Sequence, residues 1–488
     1  MRHIGCITVV CAVMLFSACS DSKIKTGGEY TAYLSENPSN LDPQMASDKA
    51  SFNVIRNIYA TLVDVDNSGM IACGAAESYT VSDDGLVYTF ILRDGLVWKG
   101  IASKETVPLS ADDYVFAFKR INDDVTGSPH KKMYEEIDSI YAKDSRTLCI
   151  ELKEPNCDFL KKLAYPAASP CCEKLFLSTD GRYGLSAEDT YSCGAFYVSD
   201  WNYDPYWTEN HVTLTRINKN SLDGYITYPD EINFLIKSDV VTDVYTVNEK
   251  TEPEKGHILS EPYFCKMTVL LCSKDMSDDE RNTLMSLAYA ELPCENEDHI
   301  KAFGLVPPAV TVMNQSLRNM FSDRAEGAEN KHYRFDDKKY HTILISSEYT
   351  AYDTIYALTD VLRTADYYSE PYYCSYDEFM KKYEEGDHEL CVYTVRPSLN
   401  SAEEMFKSLY DAAKIRNDKL FYMSSIGDPS TKAHYAHDLE NSLINSGEIV
   451  PVTYDSVYVS VRKDISDYWY EPFTDTLFFK YMKGDNVK

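Results

Sequence analysis

The segment Asp83–Ile121 constrains the fold of this 488-residue chain more than any other part of it. Asp83–Gly85 is a turn signal, and the apolar run Leu86–Leu92 follows it directly. A second turn, Arg93–Gly95, returns the chain into Leu96–Trp98. Two apolar runs that flank a short glycine-containing turn predict a β-hairpin.

A helix is predicted after the hairpin and a polar loop. Ser110 stands before the acidic pair Asp112 and Asp113, a pattern typical of a helix start with an acidic first turn. Apolar residues then recur on one helical face: Tyr114, Ala117, Phe118 and Ile121. The segment thus predicts a hairpin, a loop and a capped helix, and it contains no catalytic grouping.

The residues of this segment, and the order of its motifs, resemble those of one family, the bacterial extracellular solute-binding proteins of the peptide/nickel class. These oligopeptide-binding-protein-like components serve ABC transporters. The family's recurring "tytF-LRdg-kW-dG-p-tAeDvvfsfkR" stretch is matched here by Tyr88–Phe90, Leu92–Gly95, Trp98–Gly100 and Leu109–Arg120. Other motifs of the family are matched at Asn37–Pro43, Asn57–Val63, Ala75–Ser82, Ser192–Trp201 and Ile449–Val452.

The resemblance implies an α/β protein with the two-lobed periplasmic-binding-protein fold (type II, peptide-binding cluster) and an extra inserted domain. Ligand would lie between the lobes, which close on a hinge of two chain crossings near 262–265 and 454–457. The expected division is residues 1–19 lipoprotein signal peptide, 20–28 tether, 29–54 with 185–256 and 457–488 lobe I, 55–184 inserted domain, and 257–456 lobe II.

The N-terminus is predicted to be a targeting segment. Ile4–Phe16 is apolar but shorter than the roughly 20 residues that a membrane-spanning helix needs. Phe16–Cys19 resembles a lipobox, which would place diacylglycerol on the thiol of Cys19. An ordinary signal peptide cut near Ala18 is the alternative. The sequence therefore predicts an exported lipoprotein on the outer face of the cell membrane, in contact with the membrane through its lipid anchor only.

The net charge and the cysteine content indicate which partners to exclude and what state the thiols are in. A net charge of −29 repels nucleic acid, so no nucleic-acid partner is expected. Eleven cysteines follow Cys19, an odd number without a CxxC pattern, which favours free thiols that pack as small apolar side chains. For the adjacent residues Cys171 and Cys172, a soft-metal site and a strained disulfide are two alternatives.

Catalytic patterns are absent from the sequence. It contains no GxGxxG, GxxxxGK[ST], GxSxG or HExxH motif. His434 and His437 form the nearest approach to a metal pair, and an exposed helical face is the simpler interpretation. We therefore expect that the protein is not an enzyme and has no cofactor and no metal. A monomer is also expected.

The resemblance also supplies candidate ligand-binding residues. An early segment of the family offers backbone partners to a peptide, and it corresponds here to Ser35, Glu36 and Asn37. Peptide backbones are commonly recognised by strand-like pairing of this kind. Tyr454, at the second predicted crossing, is a further candidate.

A later family segment reads "gW-aDY-dP", where the Asp holds the peptide amine. In this chain Tyr393 precedes that segment, Val395 replaces the Trp and Ser398 replaces the Asp. A hydroxyl cannot neutralise an ammonium group as a carboxylate does, so Glu36 is the alternative anchor for the amine. Arg396 would favour an anion if it faced the cleft, and a surface arginine is the alternative.

The predicted function is capture of peptides between two lobes and delivery to the permease subunits of an ABC importer. Three alternatives remain open: a receptor for another small solute such as a nickel chelate, a signalling or interaction lipoprotein that has lost transport, and a cell-surface hydrolase.

Overall fold

The computed structural model describes most of the chain after the predicted targeting segment. Cys19 and the predicted signal peptide lie outside the described residues, as does the predicted tether except for Gly28. The described residues are 28–66, 70–101, 103, 106–206, 209–217, 229–292, 297–312, 315–321, 335, 340–349, 351–416, 419–466, 468–481 and 483–484.

The chain divides into two compact units. The first comprises Met1–Tyr245, Val461–Glu471 and Asp475–Lys488, and the second comprises Thr246–Ser460 and Pro472–Thr474. The predicted lobe II, 257–456, lies within the range of the second unit, and the predicted inserted domain, 55–184, lies within the range of the first. The finer domain boundaries remain predictions.

The α-helices of the described residues are α1 (Lys49–Ile58), α2 (Ala111–Asn122), α3 (Phe159–Leu163), α4 (Glu173–Ser178), α5 (Asp278–Glu291), α6 (Leu317–Met320), α7 (Tyr352–Thr364), α8 (Tyr376–Glu385), α9 (Ala402–Ala412), α10 (Lys419–Ser424) and α11 (Pro429–Ser446). Short 3-10 turns lie at Lys131–Tyr134, Pro166–Ala168 and Phe479–Tyr481. None of the helices in the described residues is both long and apolar enough to cross a bilayer.

The strands before the second unit are β1 (Glu29–Leu34), β2 (Val63–Val65), β3 (Ile71–Cys73), β4 (Ala76–Val81), β5 (Val87–Leu92), β6 (Val97–Trp98), β7 (Val107–Pro108), β8 (Ile137–Ala142), β9 (Thr147–Leu152), β10 (Phe196–Asn202), β11 (His211–Arg216), β12 (Glu231–Ile236) and β13 (Val244–Val247). The later strands are β14 (His257–Leu259), β15 (Lys266–Cys272), β16 (His299–Lys301), β17 (Thr311–Val312), β18 (Gln315–Ser316), β19 (His341–Ser346), β20 (Ser369–Cys374), β21 (Leu390–Val395), β22 (Ile449–Asp455), β23 (Tyr458–Arg462), β24 (Ile465–Ser466), β25 (Trp469–Glu471), β26 (Thr476–Phe478) and β27 (Lys483–Gly484).

The first unit contains two main sheets. One places its strands in the order β10-β11-β12-β1-β13, and β1 runs parallel to both β12 and β13. The other is antiparallel in the order β4-β5-β9-β8 and lies within the predicted inserted domain. The chain passes between the two units within β13, within β23 and at both ends of Pro472–Thr474.

The predicted pairing of Leu86–Leu92 with Leu96–Trp98 in a hairpin is wrong. β5 pairs with β4 across the turn at Asp83–Gly85, where Gly85 has a φ of 73°, while β6 pairs with β7. On its other side β5 pairs with β9, so both edges of β5 are occupied and none remains for β6. The predicted helix start is confirmed, because α2 begins directly after Ser110 and the backbone N–H of Ser110 donates to the carboxylate of Asp113 at 2.9 Å.

Helix α1 is buried along almost its whole length and fixes the C-terminal strand β26. Asn53 donates from its side chain to the carbonyl of Asp475 at 3.1 Å and accepts from the N–H of Leu477 at 3.1 Å. One turn later, Asn57 donates to the carbonyl of Leu477 and accepts from the N–H of Phe479. The two amides thereby satisfy strand groups that would otherwise be buried without partners.

The main sheet of the second unit has six strands in the order β16-β22-β15-β21-β19-β20. β19 is parallel to β20 and β21, whereas β15 is antiparallel to β21 and β22. Helices α7, α8 and α9 follow β19, β20 and β21 in the chain, which is the alternation expected for an α/β unit.

None of the ten cysteines among the described residues forms a disulfide, and eight of them are buried. The vicinal pair has separate partners. The Arg120 guanidinium donates to Cys171 Sγ at 3.4 Å, while Cys172 lies near Asp113, which contributes to raising its pKa after burial. Cys294 lies outside the described residues.

Candidate functional site

Four strands of the second unit end at the same edge of its sheet. Because β19 runs parallel to β20 and β21, their last residues Ser346, Cys374 and Val395 share this edge. β22 runs in the direction of β21 and ends here at Asp455, while the antiparallel β15 begins here at Lys266. Ligands of α/β sheets bind beyond the carboxyl ends of the strands, so this edge is the candidate site.

A cavity of about 300 Å³ opens at this edge, and we call it the first cavity. Its volume is at the lower end of the range typical for small-molecule pockets. Four phenyl or phenol rings, polar groups, one lysine and two carboxylates line it: Asn248, Lys266, His299, Ser346, Glu348, Tyr349, Tyr376, Phe379, Met380, Val392, Tyr393, Thr394 and Asp455.

Aromatic packing fixes one wall of the first cavity. Tyr393 lies with its ring centroid 6.3 Å from Phe379 and 5.0 Å from Tyr383. Phe379 is 4% exposed and forms the floor beneath Tyr393, whereas Tyr376 at the start of α8 is 50% exposed. Burial raises the pKa of Tyr393, so its phenol stays protonated at neutral pH and can donate a hydrogen bond.

A buried acid–imidazole pair also lines the first cavity. His299 Nδ1 lies 2.8 Å from Asp455 Oδ1, which also accepts from Thr453 Oγ1 at 2.8 Å. Thr268 Oγ1 donates to Asp455 Oδ2 at 2.7 Å. Both oxygens of Asp455 thus have partners from the protein, so this carboxylate stabilises the end of β22 rather than awaiting a ligand.

The two remaining charged groups of the cavity differ in their surroundings. Lys266 Nζ donates to Asn248 Oδ1 at 3.0 Å. Glu348 lies two residues after β19 and is exposed, and its carboxylate makes no hydrogen bond or ion pair within the described part of the chain. Glu348 is therefore the acidic group of this cavity that is available to a ligand.

A second cavity, of about 380 Å³, lies between β21 and the helices α8 and α9. Tyr393 and Thr394 line both cavities, so the end of β21 separates them. Its lining is Met380, Tyr383, Glu384, Tyr393, Thr394, Val395, Arg396, Ser408, Asp411 and Ala412.

The predicted residues at the end of β21 have distinct partners. Tyr393 lines both cavities, and Val395 is 2% exposed and lines the second. The Arg396 guanidinium lines the second cavity as well and donates from Nε to the carbonyl of Pro472 at 3.0 Å. Ser398 donates to Glu404 Oε2 at 2.9 Å, so its hydroxyl proton is directed to the buried acid of α9.

The remaining predicted residues lie in other parts of the fold. Tyr454 is 2% exposed and donates to the carbonyl of Gly304 at 3.1 Å, which makes it a core residue of the second unit. Ser35 and Glu36 are exposed in the bend after β1. Asn37 accepts from Trp201 Nε1 at 2.9 Å. These assignments as ligand-binding residues remain predictions.

Sequence reasoning missed Glu348 and Tyr376. Each stands two residues after the end of a parallel strand, β19 or β20, as Tyr393 stands near the end of β21. The rule that ligands bind at the carboxyl ends of parallel strands would have marked all three positions. It could be applied only with the order of the strands, which the local pattern does not provide.

A third cavity, of about 520 Å³, lies at the opposite edge of the same sheet, beside the first residues of β19 and β21. There His341 Nδ1 lies 2.7 Å from Glu389 Oε2, and the His341 ring stacks on Tyr367. Within the described ranges no group of three or more His, Cys, Asp or Glu side chains is placed to hold a metal ion.

Comparison with known proteins gives the same family as the sequence segment described above. Residues 71–244 match the model of bacterial extracellular solute-binding proteins, family 5 Middle. A dipeptide-binding protein of Lactococcus lactis subsp. cremoris is 26% identical over 284 residues, which are 51% of this chain and 50% of that protein. The chain therefore matches about half the length of this curated relative. The predicted resemblance is confirmed.

Solved structures show the same fold over nearly the whole chain. The Helicobacter pylori binding protein DppA, in complex with the peptide STSA, has a TM-score of 0.69 and 18% identity, and the match covers 94% of this chain and 99% of that one. The ABC transporter substrate-binding protein CtaP of Listeria monocytogenes has a TM-score of 0.74 and 16% identity, with 95% and 100% covered. The predicted fold class, the two-lobed type II binding-protein fold, is confirmed.

Proposed function

We propose, since residues 71–244 match the model of bacterial extracellular solute-binding proteins of family 5, that this chain is the peptide receptor of an ABC importer. It captures a peptide between its two lobes by hinge closure and delivers it to permease subunits in the membrane. The cavity beside Tyr393 is the observation that carries the proposal. It lies where a binding site is expected and combines apolar rings with groups that can donate or accept hydrogen bonds.

The chemistry of the site favours binding without bond cleavage. The acid–imidazole pair His299–Asp455 resembles part of a catalytic relay, with His299 Nδ1 against the acid. The carboxylate of Asp455 is occupied by Thr268 and Thr453. The side chains at this edge therefore support capture of a solute rather than its hydrolysis.

Peptide capture is tested with the purified chain that begins at residue 20. A mixture of short peptides should raise its melting temperature, and native mass spectrometry should retain peptide mass on the protein. Small-angle scattering should show a smaller radius of gyration when peptide is present, as closure requires. If nickel chelates stabilise the protein and peptides do not, the receptor has a different ligand class on the same fold.

Lipid attachment at Cys19 is the second part of the proposal. It rests on the resemblance of Phe16–Cys19 to a lipobox. In the native host the protein should partition into the detergent phase and incorporate labelled fatty acid, and Cys19→Ala should abolish both. Labelling that persists in Cys19→Ala would place the anchor elsewhere.

A further inference from the structure

The first cavity contains an acid beside stacked rings, an arrangement that recognises a flat cation. Tyr349, Tyr376, Phe379 and Tyr393 line the same cavity as Glu348. The faces of aromatic rings carry partial negative charge and attract a cation that lies over them. A guanidinium group also stacks on rings by its plane and donates paired hydrogen bonds to a carboxylate.

The other charged groups of the cavity do not cancel this preference. Asp455 is enclosed by donors from three side chains, including His299. Lys266, at the first residue of β15, donates to Asn248, and the two carboxylates that line the cavity, Glu348 and Asp455, outnumber this one lysine. Glu348 lies on the segment after β19, and its carboxylate has no partner among the residues that the structure describes.

The cavity volume limits what can enter. About 300 Å³ suits one long side chain and is too small for a whole oligopeptide. Resting on the proposed function, we infer that the first cavity is a side-chain pocket that selects peptides containing arginine, with Glu348 as the acid that pairs with the guanidinium. Tyr376 and Tyr393 supply the faces on which that group stacks.

The experiment compares arginine with citrulline, which has nearly the same shape and no charge. Arginine or citrulline is placed in turn at each position of trialanine, and binding to the mature chain is measured by calorimetry. At the position that enters the cavity, arginine should bind about tenfold more tightly than citrulline. Equal affinities at all three positions overturn the inference.

Variants assign the preference to the pocket. Glu348→Gln should remove the difference between arginine and citrulline, while Glu370→Gln should retain it because Glu370 is an exposed acid outside the cavity. Tyr376→Ala should weaken the arginine peptide severalfold. The matched control Tyr356→Ala, also an exposed tyrosine, should leave it unchanged. An arginine preference that survives Glu348→Gln would falsify the assignment.

The two proposals fail in different ways. If a broad tripeptide mixture binds and arginine has no advantage over citrulline, only the pocket assignment is overturned. If no peptide in the set or in the mixture binds, peptide capture itself is wrong, and the pocket assignment falls with it.

Discussion

Trp98 Nε1 donates a hydrogen bond to Asp113 Oδ2 at 2.9 Å, and this bond joins strand β6 to the first turn of helix α2. Both residues are buried, with exposures of 1% and 6%. The N–H of Ser110 donates to the same oxygen at 2.9 Å. A single carboxylate thus caps the helix and satisfies the indole, which gives a physical reason for the tryptophan and the acid in the segment that resembles the family.

We expect Asp113→Asn to alter how stability depends on pH. Burial raises the pKa of Asp113 above its ordinary value of 3.8, against hydrogen bonds from Trp98 and Ser110 that lower it. As the pH rises through 3.8 the unfolded state loses its proton first, so unfolding becomes easier until the folded pKa is passed. The stability of the wild type relative to Asp113→Asn should therefore fall with rising pH across this window.

The measurement is the free energy of unfolding in urea from about pH 3.5 to about pH 7. Asp112→Asn is the matched control, because Asp112 is exposed in the same turn and should change the profile little. A wild type that gains stability over Asp113→Asn as the pH rises through this range would contradict the prediction.

A buried ion pair in the first unit should show strong coupling. Lys480 Nζ lies 2.6 Å from Asp64 Oδ2, and the two residues are 2% and 1% exposed. Thr61 Oγ1 also donates to Asp64, at 3.1 Å. Lys480→Met removes the lysine that pairs with this buried carboxylate, which costs about 3–5 kcal/mol.

A double-mutant cycle separates this loss from the packing change. Asp64→Asn together with Lys480→Met removes both charges, so the double variant should be more stable than Lys480→Met alone. The free energy of unfolding is measured for all four proteins in urea. Additive single effects would mean that the pair is not coupled.

Thiol reactivity should follow burial. Burial raises the pKa of Cys272 and of Cys391 to about 12, so these thiols are almost wholly protonated at pH 8 and react slowly with Ellman's reagent. Among the described cysteines, Cys73 and Cys157 are the two that are not buried. We expect these two to react first in the native protein and the buried eight to react only after denaturation.

The number of reactive thiols is measured on the purified chain that begins at residue 20. This chain carries Cys294→Ala, because Cys294 lies outside the described residues. Tryptic mass mapping after brief alkylation identifies which thiols were modified. Rapid labelling of Cys272 or Cys391 in folded protein would show that these strand residues are accessible, contrary to the structure.

Local sequence patterns predicted the start of α2 correctly but gave β5 the wrong partner strand. Ser110 and Asp113 lie three residues apart, so the helix start was readable from one turn of chain. The pairing of β5 with β9 joins Thr89 to Cys149, which lie too far apart in sequence for a local pattern to report. Turn residues mark where a strand ends, but they do not say which strand lies beside it.

The candidate site shows the same limit. Tyr393 was predicted to bind ligand because it precedes a segment that corresponds to a family motif. Glu348 and Tyr376 lie outside every segment that matched a family motif. They meet Tyr393 only because β19 lies between β20 and β21 in the sheet. The resemblance thus supplied one strand of the site, and the strand order supplied the others.

The position of Ser398 explains why restoring the family's aspartate there should fail. Ser398 donates to Glu404 Oε2 at 2.9 Å, and Glu404 is 4% exposed on α9. Ser398→Asp would replace a hydrogen-bond donor with a second carboxylate against a buried acid. We expect it to destabilise the protein by about 1–3 kcal/mol without tightening peptide binding. Ser430→Asp, at an exposed position in the first turn of α11 and outside the cavities, is the control and should cost little.

Removing the neighbouring charge should reverse the effect. In Ser398→Asp with Glu404→Gln, the amide can donate to the new carboxylate, so the free energy of unfolding should recover most of the loss. Because the acid is then compensated, this double variant is the fair test of whether position 398 can hold a peptide amine. Tighter binding of free peptides over N-acetylated ones, measured by calorimetry in the double variant and absent from the wild type, is the expected result. If Ser398→Asp alone is as stable as the wild type and gains the same preference, Glu404 does not restrict this position.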